Sequence, residues 1–125
     1  MGFKTFEDLE VYKAAREFRK KNYKLIKKLP VEEKFNLVGQ MRRAATSLTN
    51  NIAEGYGRYH YQENIQFCRQ SRGSLCELLD DLNICIDEEY LPRDFLDELK
   101  SEGAFVHKLL NGYIAYLRRR KEEDQ

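Results

Sequence analysis

Residues that end or break a helix are scarce in this chain. Among 125 residues there are two prolines and seven glycines, so long stretches can run as uninterrupted helix. No run of 18 or more apolar residues occurs, which excludes a membrane-spanning helix. The N-terminus, Met1-Gly2-Phe3-Lys4, lacks the apolar core and small-residue cleavage site of a secretory signal. Phe6 stands where N-myristoylation requires Ser or Thr, so Gly2 is not expected to be acylated. Cysteine is represented by Cys68, Cys76 and Cys85, an odd number without a C-x-x-C pair. Reduced thiols in a cytoplasmic protein are the simplest reading.

Catalytic and metal-binding signatures are also missing. His60 and His107 are the only histidines, and neither belongs to an H-E-x-x-H or E-x-x-H arrangement. The cysteines lie eight and nine residues apart on one expected helix, so they point in different directions and do not form a shared metal site. The phosphate-binding, dinucleotide and nucleophile-elbow glycine motifs are absent. The expectation is therefore a protein that is not an enzyme and holds no cofactor or metal.

What the chain does have is charge, at 34% of residues, with a net value of +1. The two halves differ. Residues 1–62 carry 13 Lys/Arg against 7 Asp/Glu, a balance of +6, whereas residues 63–125 carry 9 against 14, a balance of −5. Such asymmetry hints at a basic contact surface in the first half.

Apolar residues recur at three-four spacing throughout, and no segment alternates with period two, so the chain is all-α. The spacing predicts helices over about 6–29, 32–53, 61–88 and 93–120. Thr5 is expected to cap the first, Leu29-Pro30 to end it, Gly55 to provide a left-handed cap to the second, and Pro92 to open the fourth. Val11, Ala15, Phe18, Asn22, Leu25 and Leu29 form the first seam, and Leu37, Met41, Ala44, Leu48 and Ile52 the second. The third reads Ile65, Cys68, Arg72, Leu75, Leu79, Leu82 and Ile86, widened by Phe67, Leu78 and Cys85. The fourth reads Leu99, Gly103, Val106, Leu110, Tyr113 and Leu117. Short connections between helices of this length make sequential neighbours antiparallel. An up-down-up-down four-helix bundle in a single domain, 1–125, follows.

Several residues do not fit a plain bundle. Arg72 falls in an apolar seam, where an unpaired charge is costly. Either the seam opens to solvent there, or the guanidinium pairs with Glu54 or faces another subunit. Gly73 beside it implies a close approach by some other group. Arg43, Ser47, Asn50 and Glu54, with Arg42 and Asn51 flanking, make a polar stripe suited to another chain, to phosphate, or to water alone. Arg16, Arg19, Lys20, Lys24 and Lys27 put positive charge along the first helix, fit either for phosphate or for solvent. Tyr56, Arg58, Tyr59, His60 and Tyr61 either cover the end of the core or stack bases.

Four blocks occur in order along the chain: Phe6-Glu7-Asp8-Leu9-Glu10-Val11-Tyr12-Lys13, Gln40-Met41-Arg42-Arg43-Ala44-Ala45, Asn51-Ile52-Ala53-Glu54-Gly55-Tyr56-Gly57-Arg58 and Arg72-Gly73-Ser74-Leu75-Cys76-Glu77-Leu78. Together they resemble the four-helix-bundle proteins encoded in intervening sequences of bacterial 23S rRNA genes, a group that includes the accessory variability proteins of diversity-generating retroelements. The resemblance implies a cytoplasmic bacterial protein without enzymatic activity, assembled as a homopentameric ring. Accessory members bind a reverse transcriptase and nucleic acid through basic surfaces, which implies RNA or a reverse transcriptase as partner on that branch. Intervening-sequence members have no settled role. The matching positions are Arg42, Arg43, Asn51, Glu54, Gly55, Gly57, Arg58, Arg72 and Gly73, which serve either a ligand or folding and ring assembly. The leading expectation is an oligomeric module that contacts structured RNA or an RNA-handling protein. The alternative is a ring-forming scaffold with no nucleic-acid ligand.

Overall fold

The computed structural model describes residues 4–124. The residues on which the leader and acylation expectations rest, Met1 to Phe3, lie outside them. Four α-helices account for most of the described chain: α1 (Glu10–Ile26), α2 (Leu37–Tyr56), α3 (Tyr61–Asp87) and α4 (Arg93–Glu123). Each packs against its neighbours in sequence, and α1 closes the bundle against α4. Cross-helix bonds fix the directions. Arg19 and Tyr23 of α1 meet Thr49 and Thr46 of α2, so residue numbers rise on one helix as they fall on the other. Lys121–Gln62 and Lys100–Asn83 show the same reversal between α4 and α3. The expected antiparallel four-helix bundle is the fold.

The core is the set of apolar stripes turned inward. Phe18, Leu25, Leu48, Leu75, Leu82 and Leu110 are completely buried. Each leucine contributes about 1.5–3 kcal/mol by leaving water, set against the entropy of ordering the chain. Cys68 and Cys85 are core residues whose thiols burial pushes up to about 12 and about 11, and Cys76 is exposed.

Helix boundaries differ from the sequence expectation where short 3-10 turns intervene. Thr5 does make a capping box with Asp8, but around a single 3-10 turn, Phe6–Asp8. Leu9 is extended, so α1 starts at Glu10. At its other end α1 stops at Ile26, and Pro30, with ψ of 155°, opens a second 3-10 turn, Val31–Glu33. Glu33 then caps α2 from outside, accepting from the Leu37 amide at 3.4 Å and the Asn36 side chain at 3.1 Å. It also accepts a 2.6 Å bond from the Tyr90 hydroxyl, which ties this connection to the one between α3 and α4.

Two further expectations need correction. Gly55 is not a left-handed cap: no described glycine has positive φ, and α2 continues to Tyr56 with Gly57 as a right-handed C-cap. Gly55 is instead buried where α2 and α3 cross. A Cβ there would stand 2.7 Å from Asn64 Oδ1 and 2.9 Å from the Phe67 Cβ. The third seam is also rotated. Its buried polar positions are Asn64, Ser71 and Asp81, while Arg72 is half-exposed. Ser71 removes the cost of its burial by donating to the Leu48 carbonyl of α2.

Glycines separate by surroundings. A Cβ on Gly103 would fall 2.6 Å from Leu79 Cδ2 and 2.9 Å from Phe18 Cζ, whereas one on Gly73 or Gly112 meets nothing within 4 Å. Gly103→Ala is expected to lower stability by about 1–3 kcal/mol through overpacking, even after the gain in helix propensity. Gly73→Ala is expected to raise it by up to about 1 kcal/mol. Urea unfolding of the two variants checks the contrast, and equal midpoints would contradict the assigned packing.

Candidate nucleic-acid interface

The positive residues of α1 divide by helix face. Arg16, Lys20, Lys24 and Lys27 recur at spacings of four, four and three and are all exposed, so they line one outward stripe. Lys20 has Glu17 within 3.3 Å, both largely exposed, a pairing that screens but does not cancel its charge. Among the described residues no carboxylate lies within 4 Å of Arg16, Lys24 or Lys27. Arg19 points differently. It is half-buried and donates to Thr49 Oγ1 at 2.8 Å, which joins α1 to α2.

Arg42 and Arg43 extend the basic surface onto α2, and both are exposed. The Arg42 guanidinium lies 4.8 Å above the Tyr23 ring, whose hydroxyl is bonded to Thr46 Oγ1. A cation over an aromatic face keeps its charge while its orientation is fixed. Arg43 folds back toward Gly39, where a Cβ would come within 3.3 Å of its Nη1. Arg42, Arg43, Thr46, Ser47, Asn50 and Asn51 line a shallow open groove. Its floor is organised: Asn51 Nδ2 donates to the Ser47 carbonyl at 2.9 Å and to Ser47 Oγ at 2.8 Å, and Ser74 Oγ of α3 donates to Ser47 Oγ at 2.9 Å. The polar stripe thus holds α2 on α3 with one edge and meets solvent with the other.

The remaining candidates are occupied within the chain. Arg58 lies between Glu54 at 3.7 Å and Glu63 at 3.8 Å, with its guanidinium 4.8 Å above Phe67. It clips the α2–α3 turn together and does not join the α1 stripe. Glu54 therefore pairs with Arg58, and of the alternatives for Arg72 the pair with Glu54 does not form. Arg72 donates to Asn111 Oδ1 of α4 at 2.8 Å, so the seam opens at that level. Gly73 is the exception: among the described residues an added Cβ there would meet nothing within 4 Å.

The aromatic cluster divides as well. Tyr61 packs against the core edge and Tyr56 is half-buried, but Tyr59 is 92% exposed beside an exposed His60.

One buried group escaped the sequence reading. Asp81 is 3% exposed, and its Oδ2 has no hydrogen-bond partner. Burial first, then the nearby Glu77 and Asp80, push its carboxyl up to about 6. The available signal was Asp80-Asp81 interrupting an apolar run, with Asp81 two turns beyond Ser74 on the same face of α3.

Among the described residues no three His, Cys, Asp or Glu side chains gather as a metal site, and no helix is long and apolar enough to cross a membrane. The fold and surface define a class, the antiparallel four-helix bundle with a basic stripe on its outer helices. The model of the 23S rRNA-intervening sequence protein family matches residues 7–112, and the chain belongs to that family. A solved structure superposes with a TM-score of 0.77 at 25% identity, covering 84% of this chain and 95% of its own. That structure is of a protein of unknown function from the S23 ribosomal protein family of Bacteroides thetaiotaomicron. Comparison with curated proteins returned no match.

Proposed function

We propose that this chain is a non-enzymatic, cytoplasmic RNA-binding module that contacts structured RNA through the α1–α2 face. The observation that carries the reading is the outward stripe of Arg16, Lys20, Lys24 and Lys27, continued by Arg42 and Arg43 on the neighbouring helix. Six cations spread along two antiparallel helices suit a phosphate backbone, whose charges also repeat at regular intervals. Arg42, held by Tyr23, and the hydroxyl- and amide-lined groove beside it add directed hydrogen bonding to ribose and phosphate. Family membership supports an RNA context. Kinship to the accessory variability proteins, if extended to this chain, makes a reverse transcriptase the corresponding protein partner.

Filter binding to 23S rRNA fragments at about 50 mM salt tests the reading, because phosphate contacts are strongest at low ionic strength. Retention of the RNA is expected. Its absence under those conditions would overturn the proposal.

The same reading includes assembly as a homopentameric ring. The exposed Gly73, where an added Cβ would meet no described atom within 4 Å, supports contact with a further copy. Five chains of 14.9 kDa give a particle of about 75 kDa by light scattering. A 14.9 kDa particle at all concentrations would remove the ring. If the particle assembles but no RNA is retained, the function is that of a scaffold.

A further inference from the structure

Away from the α1 stripe, the end of the bundle where α3 begins and α4 finishes carries two grooves. They share Gln62 and Lys121 and therefore run into one another. The first has Tyr59, His60 and Tyr61 on its wall; the second has Arg69 and Arg118. We propose that this joined groove binds a short single-stranded segment of nucleic acid, with a base stacked on Tyr59 and phosphates held by Arg69, Arg118 and Lys121.

Tyr59, like Phe35, is an aromatic that folding does not explain, and of the two it is the one that lines a groove with cations. A ring 92% exposed gains almost nothing from the core, yet its position is restrained. His60 stands edge-on to it, with ring centroids 4.9 Å apart and planes at 89°. One residue earlier, Arg58 clips the turn through Glu54, Glu63 and Phe67. The face of Tyr59 is thus both held and open. Tyr61 is not available for stacking, because Arg120 lies 5.8 Å over its ring and bonds its hydroxyl at 3.4 Å.

The cations follow from helix register. Gln62, Ile65 and Arg69 are spaced three and four apart on α3, and Arg118 and Lys121 three apart on α4, so each set projects into the same furrow. Among the described residues no carboxylate lies within 4 Å of Arg69 or Arg118. Lys121 donates to the neutral Gln62 Oε1 at 2.5 Å and so is positioned without being neutralised. Arg120, by contrast, is engaged by Glu123 at 3.6 Å. Glu122 and Asp124 also line the grooves and limit the favourable length to a few nucleotides.

An aromatic face beside cations is the general solution for unpaired nucleotides, since every base has a π-face and every linkage a charge. A duplex cannot use Tyr59, because its base faces are already stacked. An acidic peptide would use the cations but not the ring. This site is separate from the α1–α2 face, and its occupation does not depend on that face binding RNA.

Fluorescence of an eight-nucleotide RNA containing 2-aminopurine, titrated with the whole chain, reads stacking directly. Quenching is expected, with Tyr59→Ala weakening binding about tenfold by removing one base stack. Arg118→Gln is expected to lower the salt slope by about one. Both side chains are exposed, so circular dichroism should report an intact fold. A matching DNA strand shows whether the 2′-hydroxyl contributes, and preference for RNA or equal affinity both support the site. Neutralising Arg16, Lys20, Lys24 and Lys27 should leave this quenching in place while reducing retention of duplex RNA. Absence of quenching, or a Tyr59→Ala variant that binds as the parent does, would overturn the proposal even if duplex RNA binds normally.

Discussion

Replacing Arg16, Lys20, Lys24 and Lys27 together with glutamine is expected to weaken binding of structured RNA by about three to four orders of magnitude near 0.1 M salt. Counterion release sets the size of the effect: each neutralised phosphate is worth about 0.9 decade of affinity per decade of salt. Removing four such cations at that ionic strength costs about 3.6 decades relative to 1 M salt. The four side chains, three on one face of α1 and Lys27 at its C-cap, are exposed, so their charge can be removed without opening the core. A chain that keeps its helicity and no longer retains RNA is the expected result. Arg19 and Arg58 provide the contrast, since both are basic but engaged within the chain. Their replacement is expected to loosen the α1–α2 packing and the α2–α3 turn while leaving RNA affinity little changed. If all six substitutions reduce binding equally, a diffuse positive field and not the α1 stripe governs the interaction.

Asp81→Asn is expected to stabilise the protein at pH 7.5 by about 2–3 kcal/mol. Its carboxyl is raised from 3.8 to about 6 by burial, with Glu77 and Asp80 adding repulsion, and each unit corresponds to about 1.4 kcal/mol. Below pH 3.8 the carboxyl is protonated in both folded and unfolded chains and this penalty vanishes. Between 3.8 and about 6 the folded chain keeps a proton that the unfolded chain has released, so stability falls as pH rises. Above about 6 the whole penalty is present. The amide of asparagine fills nearly the same space without a charge to desolvate. Urea midpoints for the parent and the variant should converge near pH 4 and separate by pH 7.5. Parallel curves across that range would place Asp81 in contact with solvent or a cation.

The bundle was legible because its cause is repetitive. Three-four spacing of apolar residues names four stripes, and few prolines or glycines interrupt them. The errors fall where two physical solutions satisfy the same spacing. On α3 both the set Cys68, Arg72, Leu75, Leu79 and the set Cys68, Ser71, Leu75, Leu78 repeat at three-four intervals. Leu78 and Leu79 are equally apolar, so periodicity alone does not separate the two sets. The chain takes the second because Ser71 can bond the Leu48 carbonyl, which lets a polar residue face α2. Gly55 misled for a similar reason. A glycine near a helix end suits a left-handed cap, but here its missing side chain lets α2 approach Asn64 and Phe67. The α1 stripe was visible as charge, whereas the separation of Arg19 from it required knowing where Thr49 lies. Arg58 was likewise indistinguishable from a free cation until Glu54, Glu63 and Phe67 were placed around it.

The salt dependence of RNA binding by the parent chain tests the central claim most directly. With Arg16, Lys20, Lys24, Lys27, Arg42 and Arg43 on phosphates, a plot of log affinity against log salt concentration should fall with a slope of about −5. A slope near zero would contradict an electrostatic α1–α2 interface, however tightly the RNA bound.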